Sequence, residues 1–152
     1  MFLNILVGVD GSASSRRALE HGIELARAGN AKLTVMTVAP PVSSYVTLAG
    51  VSIDHMQTEL DRWAENLLSK ATALVPEDVI AHRIQHSGHA GPEIVKELQR
   101  GSYDLVILGS RGRGRAQEGL LGSVNGYVHF HSHVALLSIP DDGATAQLDD
   151  PG

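Results

Sequence analysis

The sequence predicts an α/β domain, a three-layer sandwich in which a five-stranded parallel sheet carries helices on both faces. Three observations carry this. Short runs rich in Ile, Leu and Val, each ended by Gly, Pro or Asp, alternate with stretches whose apolar residues recur every three or four positions. The chain has 152 residues, 43% hydrophobic and 19% charged, which is the balance of one globular domain. It has no cysteine, so disulfides, Cys-ligated metals and thiol nucleophiles are excluded, and a chain this long can bury roughly two-thirds of its unfolded surface without such staples.

Residues 4–9 form an apolar run that stops at Asp10-Gly11-Ser12, as a strand buried on both faces and ended by a turn would. A helix follows, capped by Ser12 or Ser14, with Ala18, Leu19, Ile23 and Ala26 on one face and Gly29-Asn30 as its stop. Residues 32–38 are the second strand, ended by Pro40-Pro41, and residues 42–50 lack a period and read as a loop. A long helix comes next, its stripe being Met56, Leu60, Trp63, Leu67, Ala71 and Leu74, with Pro76 beyond its end. Residues 79–87 are apolar only at intervals, which suits a strand near a sheet edge. Pro92 lies in the first turn of a short helix through Ile94, Val95 and Leu98, closed by Gly101. Residues 105–108 are a fourth strand and residues 109–122 a Gly- and Arg-rich loop. Ser123 is the expected cap of a last helix to about Phe130, and residues 135–139 are the fifth strand. The domain spans residues 1–140, and the acidic tail 141–152 is expected to be disordered.

Twelve Lys plus Arg against seventeen Asp plus Glu give a net charge of −5, and aromatics make up 4% of the chain, so general nucleic-acid binding is disfavoured. No apolar run approaches the roughly 20 residues that cross a bilayer. No basic n-region or cleavage site marks a signal peptide, so the expected location is cytoplasmic, with no membrane partner.

In an open parallel sheet, ligands bind beyond the carboxyl ends of the strands, where strand order reverses. Two loops suit such a place: Gly8-Val9-Asp10-Gly11-Ser12, and the run from Gly109 through Arg111-Gly112-Arg113-Gly114-Arg115 to Gly122-Ser123. Glycines let a phosphate approach backbone N–H groups, a helix N-terminus favours negative charge, and the arginines add phosphate donors to an otherwise acidic chain. By composition alone such a run also fits a solvated flexible linker.

The spacing is more specific. Gly109, two residues, Gly112, nine residues, then Gly122-Ser123, together with Val7-Gly8-Val9-Asp10-Gly11-Ser12 and the strand 104–109, resembles the nucleotide-binding signature of the universal stress protein family. The likeness runs from Asn4 to Pro140. It implies an adenine nucleotide alpha hydrolase-like fold with strand order 3-2-1-4-5, a homodimer joined through the last strand, and binding of ATP with Mg. By the same resemblance, Asp10 lies beside the nucleotide and helps position the phosphate-bound Mg, near Gly8, Val9 and Gly11. Val38 meets adenine through its backbone, and Gly109 lies near the ribose. Arg111, Gly112, Arg113, Gly114 and Arg115 wrap the phosphates, and Gly122, Ser123, Val124 and Asn125 complete the cradle. Asn125 stands where the family often has Ser or Thr, and an amide there can still donate. The run 130–135 lacks the proline the family usually carries before its last strand.

Other chemistries find less support. The first strand is not followed by Gly-x-Gly-x-x-Gly, no glycine loop ends in Gly-Lys-Ser or Gly-Lys-Thr, and there is no Gly-x-Ser-x-Gly elbow. Of the eight histidines, His129, His131 and His133 and the set His82, His86 and His89 invite a metal site, but a helix end is expected between His129 and His133. Trp63 is expected in the core, and neither it nor His21 is assigned a function. The expected function is that of an ATP-binding regulatory or stress-response module with at most slow hydrolysis, read by a protein partner. The alternative is a dimeric interaction module that works without nucleotide.

Overall fold

The computed structural model describes residues 1–42, 50, 52–110 and 122–141. Most of the expected loop at 42–50, the arginines of the second loop and nearly all of the tail lie outside the described residues. Five strands are present, β1 (Asn4–Gly8), β2 (Lys32–Ala39), β3 (Ala81–Ser87), β4 (Leu105–Gly109) and β5 (Ala135–Ile139). With them alternate four described helices, α1 (Ala13–Gly29), α2 (Ile53–Ala73), α3 (Ala90–Arg100) and α4 (Ser123–His131). The strands make one parallel sheet in the order β3-β2-β1-β4-β5.

Alternation along each strand divides the core. Ile5, Val7, Leu33, Val35, Leu105 and Ile107 face Ala18, Leu19 and Ala26 of α1 and Leu68 and Ala71 of α2. Leu6, Met36, Val106 and Leu108 face Ile94, Val95 and Leu98 of α3 and Val128 of α4. Both faces of β1 are thus covered, which is why its sequence is a continuous apolar run. β3 lies at the edge and only Ile84 and His86 along it escape full exposure, the pattern its interrupted sequence predicts.

Helix ends follow local chemistry. Ser12, not Ser14, caps α1, its Oγ accepting from Ser15 N at 3.2 Å, while Ser14 is buried in the first turn. At the other end Asn30 adopts φ 52°, the left-handed conformation that an amide side chain tolerates. Two expectations are corrected. The α2 residues that reach full burial are Ala64, Leu68 and Ala71, and Leu74, at the C-cap where the helix leaves the sheet, is 47% exposed. Ser123 is the first helical residue of α4 and not its cap; the cap position is Gly122, which offers no side-chain acceptor. Among the described residues no helix is long and apolar enough to cross a membrane.

Candidate functional site

β1 and β4 are neighbours, paired from Ile5↔Leu105 to Val7↔Ile107. After β1 the chain turns onto one face as α1, and after β4 it returns on the other as α4, so the two exits diverge and leave a crevice. A cavity of about 290 Å³ occupies this point. Of the residues singled out from sequence, Gly8, Val9, Asp10, Val38, Gly109, Gly122, Ser123, Val124 and Asn125 line it. Gly11 does not: it is exposed with φ 87°, and a Cβ there would meet nothing within 4 Å, so its part is the left-handed turn itself. Arg111, Gly112, Arg113, Gly114 and Arg115 lie outside the described residues.

Three glycines of the wall are needed for close packing. A Cβ on Gly8 would lie 2.7 Å from Leu108 Cδ2. One on Gly109 would overlap Ser14 Oγ and come within 2.6 Å of Ser15 N, so the bare backbone lets the end of β4 touch the first turn of α1. At Gly122 the obstacle is Ser110 O, at 2.8 Å. These positions therefore shape the crevice before any ligand enters.

The turn after β1 is bound to itself and to β2. Val9 N donates to Met36 O at 2.8 Å, and Thr37 Oγ1 donates to Val9 O at 2.8 Å. Asp10 Oδ1 accepts from Ser12 N at 2.9 Å and from Ser12 Oγ at 2.5 Å, while Asp10 N donates to Ser15 Oγ at 3.2 Å. This holds the Asp10 carboxylate at the mouth of α1. Among the described lining residues it is the only ionisable side chain. A carboxylate only accepts, so it can meet a phosphate through a shared cation but not directly.

On the opposite wall, Asn125 is 2% exposed and its Nδ2 donates to Gly109 O at 2.8 Å. One N–H of its amino group thus ties α4 to β4, and Oδ1 is left as an acceptor. The remaining wall is apolar, formed by Met36, Val38, Pro40, Ala90, Ile94 and Leu108. Trp63 joins it from α2, half-buried. Sequence reasoning missed this residue, because its place in a helical stripe is equally that of a core side chain.

Two of the histidines singled out from sequence, His131 and His86, have partners outside the cavity. His131 stacks on Tyr127 with ring centroids 4.0 Å apart and meets Tyr127 O through Nδ1 at 2.8 Å, and His86 Nδ1 lies 3.2 Å from Glu93 Oε1. Among the described residues no three His, Asp or Glu side chains converge as a metal site would require.

Comparison with known proteins adds the following. The model of the Universal stress protein family matches residues 1–140. The chain is 30% identical over 133 residues to universal stress protein YxiE of Bacillus subtilis, covering 82% of this chain and 90% of that one. It is 29% identical to universal stress protein Mb2019 of Mycobacterium bovis, covering 95% of this chain but 50% of the relative. Among solved structures, UspA from Lactobacillus plantarum superposes with a TM-score of 0.77 at 20% identity, over 90% of this chain and 97% of that one. A universal stress protein in complex with cAMP superposes with a TM-score of 0.61 at 25% identity, over 91% and 97%. Structures with AMP, from Arabidopsis thaliana, and with dAMP, from Archaeoglobus fulgidus, share the fold.

Proposed function

Because the chain belongs to the universal stress protein family, we propose that it binds an adenine nucleotide in the cavity between β1 and β4 and acts as a nucleotide-dependent regulatory module of the stress response. The observation that carries this reading is the cavity itself. It lies at the reversal of strand order, apolar on one side for a base, and bounded on the other by two helix N-termini and three glycines. The complexes of solved relatives with AMP, dAMP and cAMP support an adenine ligand.

In this reading the ligand is ATP with Mg. The base lies against Val38, Met36, Ile94 and Trp63, and the phosphates lie toward Gly122, Ser123 and Val124. Arg111, Arg113 and Arg115, in the loop between Gly109 and Gly122, supply the positive charge that the described wall lacks. The residues fit a nucleotide-bound Mg, since such an ion takes one carboxylate and the phosphates themselves, and Asp10 is the carboxylate present. Bound Mg would screen the phosphates from Asp10. One carboxylate without a second acid or base in the described wall suits slow hydrolysis at most.

β5 is an edge strand with Ala135 and Leu137 exposed, which supports pairing of two copies along it and a surface that a protein partner reads. The cytoplasm is the proposed location, with neither nucleic acid nor membrane as partner.

The test is to denature purified protein and chromatograph what it releases. Near-stoichiometric adenine nucleotide supports the reading. Protein that is empty and fails to take up ATP with Mg overturns it in favour of the nucleotide-independent dimer. Gly122→Glu places a carboxylate and a Cβ against Ser110 O, and it should abolish binding while unfolding stays cooperative in circular dichroism.

A further inference from the structure

Asn125 holds a buried acceptor that no described residue satisfies. It is the third residue of α4, 2% exposed, and part of the cavity wall. Nδ2 donates to Gly109 O, and since a carbonyl oxygen accepts only from the amino edge of an amide, this contact fixes which way the side chain is turned. Oδ1 is consequently the outlying atom, buried with no hydrogen-bond partner among the described residues. Buried polar atoms almost always have one, because an acceptor removed from water without compensation opposes folding.

The neighbours define what would complete it. The first turn of α4 presents N–H groups that precede the helical ladder, beside the exposed Ser123 hydroxyl. These donors suit anionic oxygens. Oδ1 is an acceptor in the same turn and would repel an unprotonated phosphate oxygen. A serine or threonine hydroxyl at 125 could donate or accept, whereas Oδ1 of the amide can only accept. A ligand that matches both features carries an anionic oxygen and a hydroxyl side by side.

We infer that Asn125 reads a hydroxyl of the bound nucleotide, Oδ1 accepting its O–H, and that this residue selects among adenine nucleotides. The inference rests on the nucleotide reading above. Two hydroxyls share this chemistry: one on the sugar, at the 2′ or 3′ position, and the proton-bearing oxygen of a phosphate monoester.

Calorimetric titration of the full chain at pH 5.5, where a phosphate monoester largely keeps one proton, separates them. The ligands are AMP, its 2′-deoxy and 3′-deoxy analogues, and its phosphate methyl ester. Removal of the hydroxyl that Asn125 meets should weaken binding roughly tenfold. That loss should vanish in Asn125→Leu and persist in Asn125→Asp, which keeps an acceptor. Loss with a deoxy analogue assigns the sugar, and loss with the methyl ester assigns the phosphate. Equal affinity of all four ligands for the native chain, or a loss unchanged in Asn125→Leu, overturns the inference. Failure of every adenine nucleotide to bind overturns the nucleotide reading first, and this inference with it.

Discussion

Trp63 shows how one side chain can hold two meanings. It is the only tryptophan of the chain, and its helical spacing with Leu60 and Leu67 is that of a core residue. The fully buried residues of α2 are instead Ala64 and Leu68, one position beyond Trp63 and Leu67, with Ala71 common to both lines, and the indole reaches the cavity beside Val38 and Pro40. Its emission should therefore change on addition of AMP or ATP, with no other indole to mask it. Trp63→Leu should weaken nucleotide binding by roughly tenfold, the scale of one base–aromatic stack, with little change in melting temperature. An unaltered affinity in a titration of that variant would place Trp63 outside the site.

At the scale of elements, the contact of α1 with the sheet depends on Gly22. A Cβ there would lie 2.6 Å from Val7 Cγ2 and 3.3 Å from Leu33 Cδ1, and both neighbours are fully buried. Alanine would gain about 1 kcal/mol in helix propensity, but overpacking costs about 1–3 kcal/mol and here has no room to relax. Gly22→Ala should thus lower the melting temperature by a few degrees in a thermal scan followed by circular dichroism, and Gly22→Val by more. On α3, Lys96 Nζ lies 3.0 Å from Glu93 Oε2, and this hydrogen bond, with a smaller contribution from His86, holds the Glu93 carboxyl below its usual 4.5. A carboxyl whose folded pKa is depressed stabilises the fold above its unfolded value and loses that contribution as the pH falls through the folded one. Stability should accordingly decline on acidification below about 4.5, and less steeply in Glu93→Gln, as denaturant midpoints at a series of pH values would show.

For the molecule as a whole, the cavity wall is assembled from β1, β2 and β4, the four described helices and the turns between them, so it exists only in the folded state. A ligand that binds there and not to the unfolded chain stabilises by mass action, about 2.7 kcal/mol at a hundred times its dissociation constant. For a domain of this size that is a rise of roughly 5–10 °C in melting temperature, measurable with saturating nucleotide. Gly109→Ala should abolish the rise and lower the unliganded midpoint too, since its Cβ would strike the first turn of α1.

Much of this architecture was legible because it is written locally. Strands covered on both faces need unbroken apolar runs, the edge strand shows interruptions, and Ser12, Asn30 and Pro76 punctuate the helices through their own backbone chemistry. The glycine spacing likewise announced a family and a strand order that periodicity alone does not supply. What remained hidden depends on contacts between distant segments. The placement of α2 that presents Trp63, the replacement of Ser123 by Gly122 as the cap of α4, and the tie from Asn125 to Gly109 all follow from how helices settle on the sheet. The sequence by itself therefore determined the elements, their alternation and the two loops that matter, since each arises from neighbouring residues. Only the tertiary structure decided which atoms face the cavity, because β1 and β4 become neighbours by folding and the last turn of each packing angle is set by side chains far apart in the chain.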